Sequence, residues 1–200
     1  MRFKQFVPPI LAVALLAATV TVTASAQVAP AYQAPGIPLT IGAGASSYDV
    51  DWGHGRMLGG SFWAEYYPGF FTTHVPGLGF AVEGRDISIG RNLPQQKNIR
   101  QDTIEGGGIY TLRTFHYIHP YAKMMIGYGS YDFTSGSPTY SHDTRSLMAG
   151  GGGFDARIYG PFWARADYEY QVWQKLFGNY PDPQGFTVGI LYDFGRGKGH

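Results

Sequence analysis

Arg165, Asp167 and Glu169 stand at every second position of FWARADYEYQVW, the stretch from Phe162 to Trp173. On an extended strand that spacing puts them on one face with Trp163, Gln171 and Trp173, where they could pair into an ion network or line a path for protons. Phe162, Ala164, Ala166, Tyr168, Tyr170 and Val172 take the other face. Other chemistry-bearing types are weaker. Ser141, His142 and Asp143 carry the residue types of a nucleophilic relay, but consecutive residues of an extended chain point in different directions and make no relay by themselves. His116 and His119 bracket a turn without a carboxylate at ligand spacing and read as solvated turn residues. The run AGGGGFD, Ala149 to Asp155, lacks the Lys and Ser or Thr of a phosphate loop. IGYGSY, Ile126 to Tyr131, lacks the Thr-Val of a potassium filter. AGGGGFD reads as a mid-strand run whose glycines make room for bulky neighbours inside a barrel. No catalytic residue, cofactor or metal is expected.

The elements that position these residues are alternating segments of roughly ten residues, separated by Gly, Pro, Asn, Asp and Ser clusters. Eight are counted: Leu39 to Val50, Met57 to Tyr67, Leu78 to Ser88, Thr103 to Phe115, Tyr121 to Tyr131, Leu147 to Ile158, Phe162 to Trp173 and Gly185 to Phe194. Their connections differ by side. PGFFTTHVPG, HYIHP and YGP follow the second, fourth and sixth, whereas IGRNLPQQKNIRQD, DFTSGSPTYSHDTRS and QKLFGNYPDPQ follow the third, fifth and seventh. Short turns on one side and long polar loops on the other suit an up-and-down barrel that spans an outer membrane. DWGHG is short for the loop side, and PGFFTTHVPG is long for the turn side.

Alternation alone does not say which face is wet. The last segment splits into Phe186, Val188, Ile190, Tyr192 and Phe194 against Gly185, Thr187, Gly189, Leu191 and Asp193. A water-facing exterior would be dense in Lys and Glu, and glycine there would weaken the strand with no gain in packing. A glycine-rich polar face suits the cramped interior of an eight-stranded barrel instead. The same parity along every segment places Glu65, Glu83, Arg85, Glu105, Arg113, Lys123, Asp155, Arg157, Arg165, Asp167, Glu169 and Asp193 inside. Neither sign dominates, and the expectation is an interlocked ion-pair network that plugs the lumen. A hairpin centred on Gly160 would set Asp155 across from Arg165 and Arg157 across from Trp163.

Residues 1–26 have the form of an export signal: Arg2 and Lys4, an apolar run from Ile10 to Ala18, and Ala24, Ser25 and Ala26 as the cleavage motif. Without Arg2 and Lys4 there remain 13 Lys and Arg against 14 Asp and Glu, a net charge of −1 that gives nucleic acid no purchase. There is no Cys, which excludes a disulfide framework and thiolate metal sites. The domains expected are a signal peptide over 1–26, a Pro- and Ala-rich linker over 27–38, the barrel over 39–194 and a periplasmic tail over 195–200.

The signal peptide, the eight segments, RADYEYQVW and the closing GFTVGILYDF together resemble the small outer-membrane β-barrels that include OmpA-like and OmpX-like transmembrane domains. The resemblance implies a monomer in outer-membrane lipid and lipopolysaccharide, folded with the help of periplasmic chaperones and the barrel-assembly machinery. It also implies an assembly signal at Tyr192 and Phe194, here followed by GRGKGH. The function implied is structural, or surface interaction through the outer loops, and not an enzyme. The alternatives are a barrel enzyme that modifies lipid A, for which Ser141 and His142 stand in the wrong order, and a small channel or transporter of hydrophobic molecules.

Overall fold

The computed structural model describes residues 37–49, 56–89, 98–113, 115–134, 140–175 and 180–196. The signal-peptide expectation and nearly all of the linker expectation lie outside them. Eight antiparallel strands close into one barrel in chain order. They are β1 (Leu39–Asp49), β2 (Arg56–Tyr66), β3 (Leu78–Ser88), β4 (Asn98–Thr111), β5 (Ile118–Thr134), β6 (Tyr140–Tyr159), β7 (Phe162–Trp173) and β8 (Gln184–Asp193). A short helix α1 (Gly69–His74) lies between β2 and β3, and a 3-10 turn covers Phe194–Arg196. The wall closes where β1 pairs with β8, from Thr40 opposite Asp193 to Asp49 opposite Gln184.

Period-two alternation decides which side chains go in. Phe62, Met124 and Val188 are 62%, 72% and 60% exposed on the outer surface, whereas Glu105 and Glu169 are 2% and 0% exposed inside. Large apolar side chains stand on the outside of all eight strands, among them Ile41, Phe80, Ile104, Phe154 and Val172. An apolar belt of that extent is the surface of a protein solvated by hydrocarbon, where closure also satisfies every strand edge.

Glycine lets the narrow interior hold large rings. A Cβ on Gly42 would run into the Trp63 indole, and one on Gly129 into Trp173. In the AGGGGFD run, a Cβ on Gly151 would press on the Lys123 stem at 3.1 Å. The β6–β7 turn uses Gly160 at φ 55°, a left-handed conformation that glycine adopts without penalty.

Three strands differ from their expected bounds by more than one residue. β4 begins at Asn98 and ends at Thr111, against an expected Thr103 to Phe115. Its early start is held by Arg100, whose guanidinium makes two hydrogen bonds to Asp86 of β3, at 3.0 and 2.8 Å. β5 and β6 run for 17 and 20 residues, so most of the expected loop from Asp132 to Ser146 is strand. A tilted strand crosses a bilayer in about 9–11 residues. The β5–β6 hairpin therefore projects well past the apolar belt.

Candidate functional site: the charged lumen

Apolar and charged side chains share the interior. One buried apolar cluster runs from Tyr48, Met57, Ile87 and Trp173 at the long-loop end to Ile109, Tyr121 and Tyr67 toward the turn end. Toward the turn end Trp63, Trp163 and Leu191 form a second apolar cluster, with the His119 ring stacked on Trp163 at 4.4 Å. The charges are interleaved with both clusters, Arg165 lying over the Trp63 and Tyr121 rings. β3 supplies Glu83 and Arg85 two residues apart, and β7 supplies Arg165, Asp167 and Glu169, so alternation delivers each of them to one lumen.

The centre of the network is Glu169. It accepts from Arg85 Nη1 at 2.9 Å, Tyr48 Oη at 3.1 Å and Gln171 Nε2 at 3.0 Å, and its other oxygen lies 2.8 Å from Lys123 Nζ. Lys123 also reaches Glu83 at 2.6 Å and Asp167 at 3.0 Å, and Arg85 pairs with Glu83. A chain of neutral donors feeds this centre from above. Tyr131 donates to Gln101 at 2.8 Å, Gln101 to Gln171 at 3.1 Å, and Gln171 to Glu105 at 2.9 Å.

A second group sits nearer the turn end. Arg165 clasps Asp155 through Nε and Nη2, at 2.7 and 2.9 Å, and pairs with Glu65 through Nη1. Asp155 lies directly opposite Arg165 and Arg157 opposite Trp163, the register that a hairpin centred on Gly160 requires. Glu65 also accepts from Tyr67 at 2.9 Å. Tyr121 joins the groups, donating to Asp167 at 2.6 Å while its ring lies 4.4 Å beneath the Arg165 guanidinium. Charge-assisted and cation–π contacts of this kind offset the desolvation of buried ions.

Nine of the expected interior charges are buried: Glu65, Glu83, Arg85, Glu105, Lys123, Asp155, Arg165, Asp167 and Glu169. Three are corrections. Arg157 is exposed at the end of β6, beside a register shift. Arg113 lies past the end of β4, half-buried, with its guanidinium 4.4 Å over the Tyr67 ring. Asp193 ends β8 half-buried and accepts the Gly195 backbone N–H at 2.9 Å. All three have inward parity but stand at the rim, where a side chain reaches solvent without crossing the wall. The even balance of sign also changes: the buried set holds six carboxylates against three cations.

His119 is corrected too, being buried inside β5 rather than solvated in a turn. Sequence reasoning did not count Tyr48, Gln101, Tyr121 and Tyr131 among the interior groups, though they share the inward parity of the charges and supply neutral donors. Tyr192 and Phe194 point outward, with ring centroids 4.7 Å apart. Among the described residues no group of three or more His, Asp or Glu side chains could hold a metal ion. The Ser141 side chain, and with it the Ser141, His142 and Asp143 grouping, lies outside the described residues. His142 Nδ1 pairs with Asp132 across the β5–β6 hairpin, and Thr144 Oγ1 lies 3.1 Å from His142 Nε2.

Comparison with known proteins agrees with the architecture. The chain resembles Neisserial surface protein A at 16% identity and TM-score 0.61, over 78% of this chain and 96% of that one. It also resembles Ail, the attachment invasion locus protein of Yersinia pestis, at 19% identity and TM-score 0.53, with the same coverage of both chains. No curated protein matches the sequence. The family model for the outer membrane protein β-barrel domain matches residues 12–194. With its closed eight-stranded wall and apolar belt, the chain belongs to that outer membrane protein β-barrel family and resides in the bacterial outer membrane.

Proposed function

We propose that this barrel is a plugged, monomeric, non-conducting outer-membrane protein that acts as a structural element and as a mount for surface contacts through its long-loop end. The observation that supports this reading is the filled lumen, in which nine buried charges interlock with large buried tryptophan, tyrosine and aliphatic side chains. Ions fixed by partners on several strands favour a closed interior over a wet path. The β5–β6 hairpin, standing clear of the belt, is the surface best placed to meet a partner. The fold resembles a protein named for attachment, Ail, which has also been solved with the heparin analogue sucrose octasulfate. Membrane lipid, lipopolysaccharide and, during biogenesis, chaperones and the assembly machinery are the partners of this reading, with Tyr192 and Phe194 as the assembly signal. Planar-bilayer recording tests the plug. Absence of steady open steps is expected, and steady unitary conductance would overturn it.

A lipid A modifying enzyme keeps one observation in its favour, the Thr144, His142 and Asp132 arrangement on the outer face of the hairpin. A hydroxyl, an imidazole and a carboxylate in that order are the parts of an acyl-transfer relay. Mass spectra of lipid A from cells with and without the gene decide it. Unchanged acylation retains the non-enzymatic reading, and a lost acyl chain that returns with wild type but not with Thr144→Ala replaces it.

A further inference from the structure

The turn PGFFTTHVPG folds into helix α1, longer than a hairpin of this kind needs, and it lies at the end of the barrel where the tight turns gather. None of its residues is buried. Phe70 is 73% exposed and Val75, just past the helix, 44%. At 100° per residue Phe70, Phe71, His74 and Val75 share one side, with Thr72 and Thr73 opposite. The Phe71 ring meets Phe80 at 5.5 Å, and Phe80 belongs to the outer, lipid-facing surface of β3. Phe70 in turn contacts Phe71 at 5.5 Å. The aromatic side of α1 therefore continues the apolar belt and does not fold under the mouth of the barrel.

A second observation points the same way. The polar side chain on the aromatic side, His74, turns its Nδ1 back onto the Phe70 carbonyl at 3.0 Å. In water such back-bonding brings little, because solvent competes for the same groups. In a lipid interface it hides the polar atoms that hydrocarbon would leave unsatisfied. Phe115, Tyr117 and Tyr159 extend an aromatic rim around the same end. Short turns mark that end as periplasmic.

We infer that α1 is a membrane foot, lying in the periplasmic leaflet with Phe70, Phe71 and Val75 among the acyl chains and fixing how deep the barrel sits. The inference rests on the outer-membrane location and is independent of the plug. The absence of Cys makes the test clean. Single variants Phe70→Cys, Val75→Cys, Thr73→Cys and Val188→Cys are nitroxide-labelled and folded into phospholipid nanodiscs. Power-saturation measurements then compare relaxation by oxygen, which enriches in lipid, with relaxation by a water-soluble nickel chelate. Labels at Phe70 and Val75 should match the lipid reference at Val188, with an oxygen-to-nickel ratio severalfold above that at Thr73. Ratios at Phe70 and Val75 equal to that at Thr73, with Val188 in lipid, would overturn the foot and leave the barrel reading intact. If Phe70→Cys fails to fold, Val75→Cys decides alone.

Discussion

Replacing Arg165 by Met removes the cation that Asp155 and Glu65 share, and leaves both carboxylates in a lumen where the arginine side chain is only 5% exposed. Breaking a buried pair by deleting one partner costs about 3–5 kcal/mol, because the remaining charge has lost its compensation. The upper part of that range is expected here, since two anions are orphaned, although Tyr67 still donates to Glu65 at 2.9 Å. An internal control is available in Arg100, which makes a similar bidentate contact with Asp86 but on the outer surface, with side chains 54% and 58% exposed. Exposed pairs contribute about 0–1 kcal/mol. The triple change Arg165→Met, Asp155→Leu and Glu65→Leu should recover most of the loss, because an apolar set of similar volume needs no compensation. The assay is urea unfolding in lipid vesicles, followed by tryptophan fluorescence and by the mobility shift of the folded barrel on gels. An Arg165→Met cost no larger than that of Arg100→Met, or a triple variant weaker than the single, would refute the claim that paired ions hold this interior.

Val188→Arg on the outer wall should cost about 2–4 kcal/mol in the same unfolding assay, by the depth-dependent penalty for a cation facing lipid. Gly129→Val should abolish the folded gel species, because its side chain would occupy the space of Trp173, whereas Gly150→Ala, with nothing within 4 Å of the new Cβ, should fold as wild type does. Trp173→Ala should cost about 3–5 kcal/mol by opening a cavity in the buried apolar cluster. Tyr192→Ser with Phe194→Ser should slow folding catalysed by the assembly machinery in proteoliposomes while leaving unassisted folding into detergent unchanged; equal slowing in both would remove the signal role.

Where lipid and lumen press on opposite faces of a strand, the sequence spelled out the architecture. β3 and β7 fall on the predicted residues, because each alternates between large apolar and polar or small side chains along its whole length. That contrast disappears once a strand leaves the membrane. Over His142 to Ser146 of β6 both faces are exposed or half-buried, so polarity reads as loop although the hydrogen-bonded pairing continues from Thr134 opposite Tyr140. Parity also gives a side but not a depth. It placed Arg113, Arg157 and Asp193 inward, yet their distance from the rim depends on how strands are staggered around the wall, which one strand's pattern does not contain. His119 was misread because Pro120 beside it has the look of a turn, whereas the strand takes in both residues. Tyr121 and Gln101 carry no charge and so were not counted among the interior groups, though the ion groups depend on their hydrogen bonds.

The seam between the first and last strands sets the order of events in the life of the chain. Ser46 and Thr187 touch across it at 2.8 Å, though 141 positions separate them along the backbone. Nothing synthesised earlier can substitute for that final strand, so a nascent polypeptide has no partial cylinder to rest in and must be kept unfolded until its last segment emerges. A molecule truncated before Gln184 would expose two unpaired edges at once, those of β1 and β7.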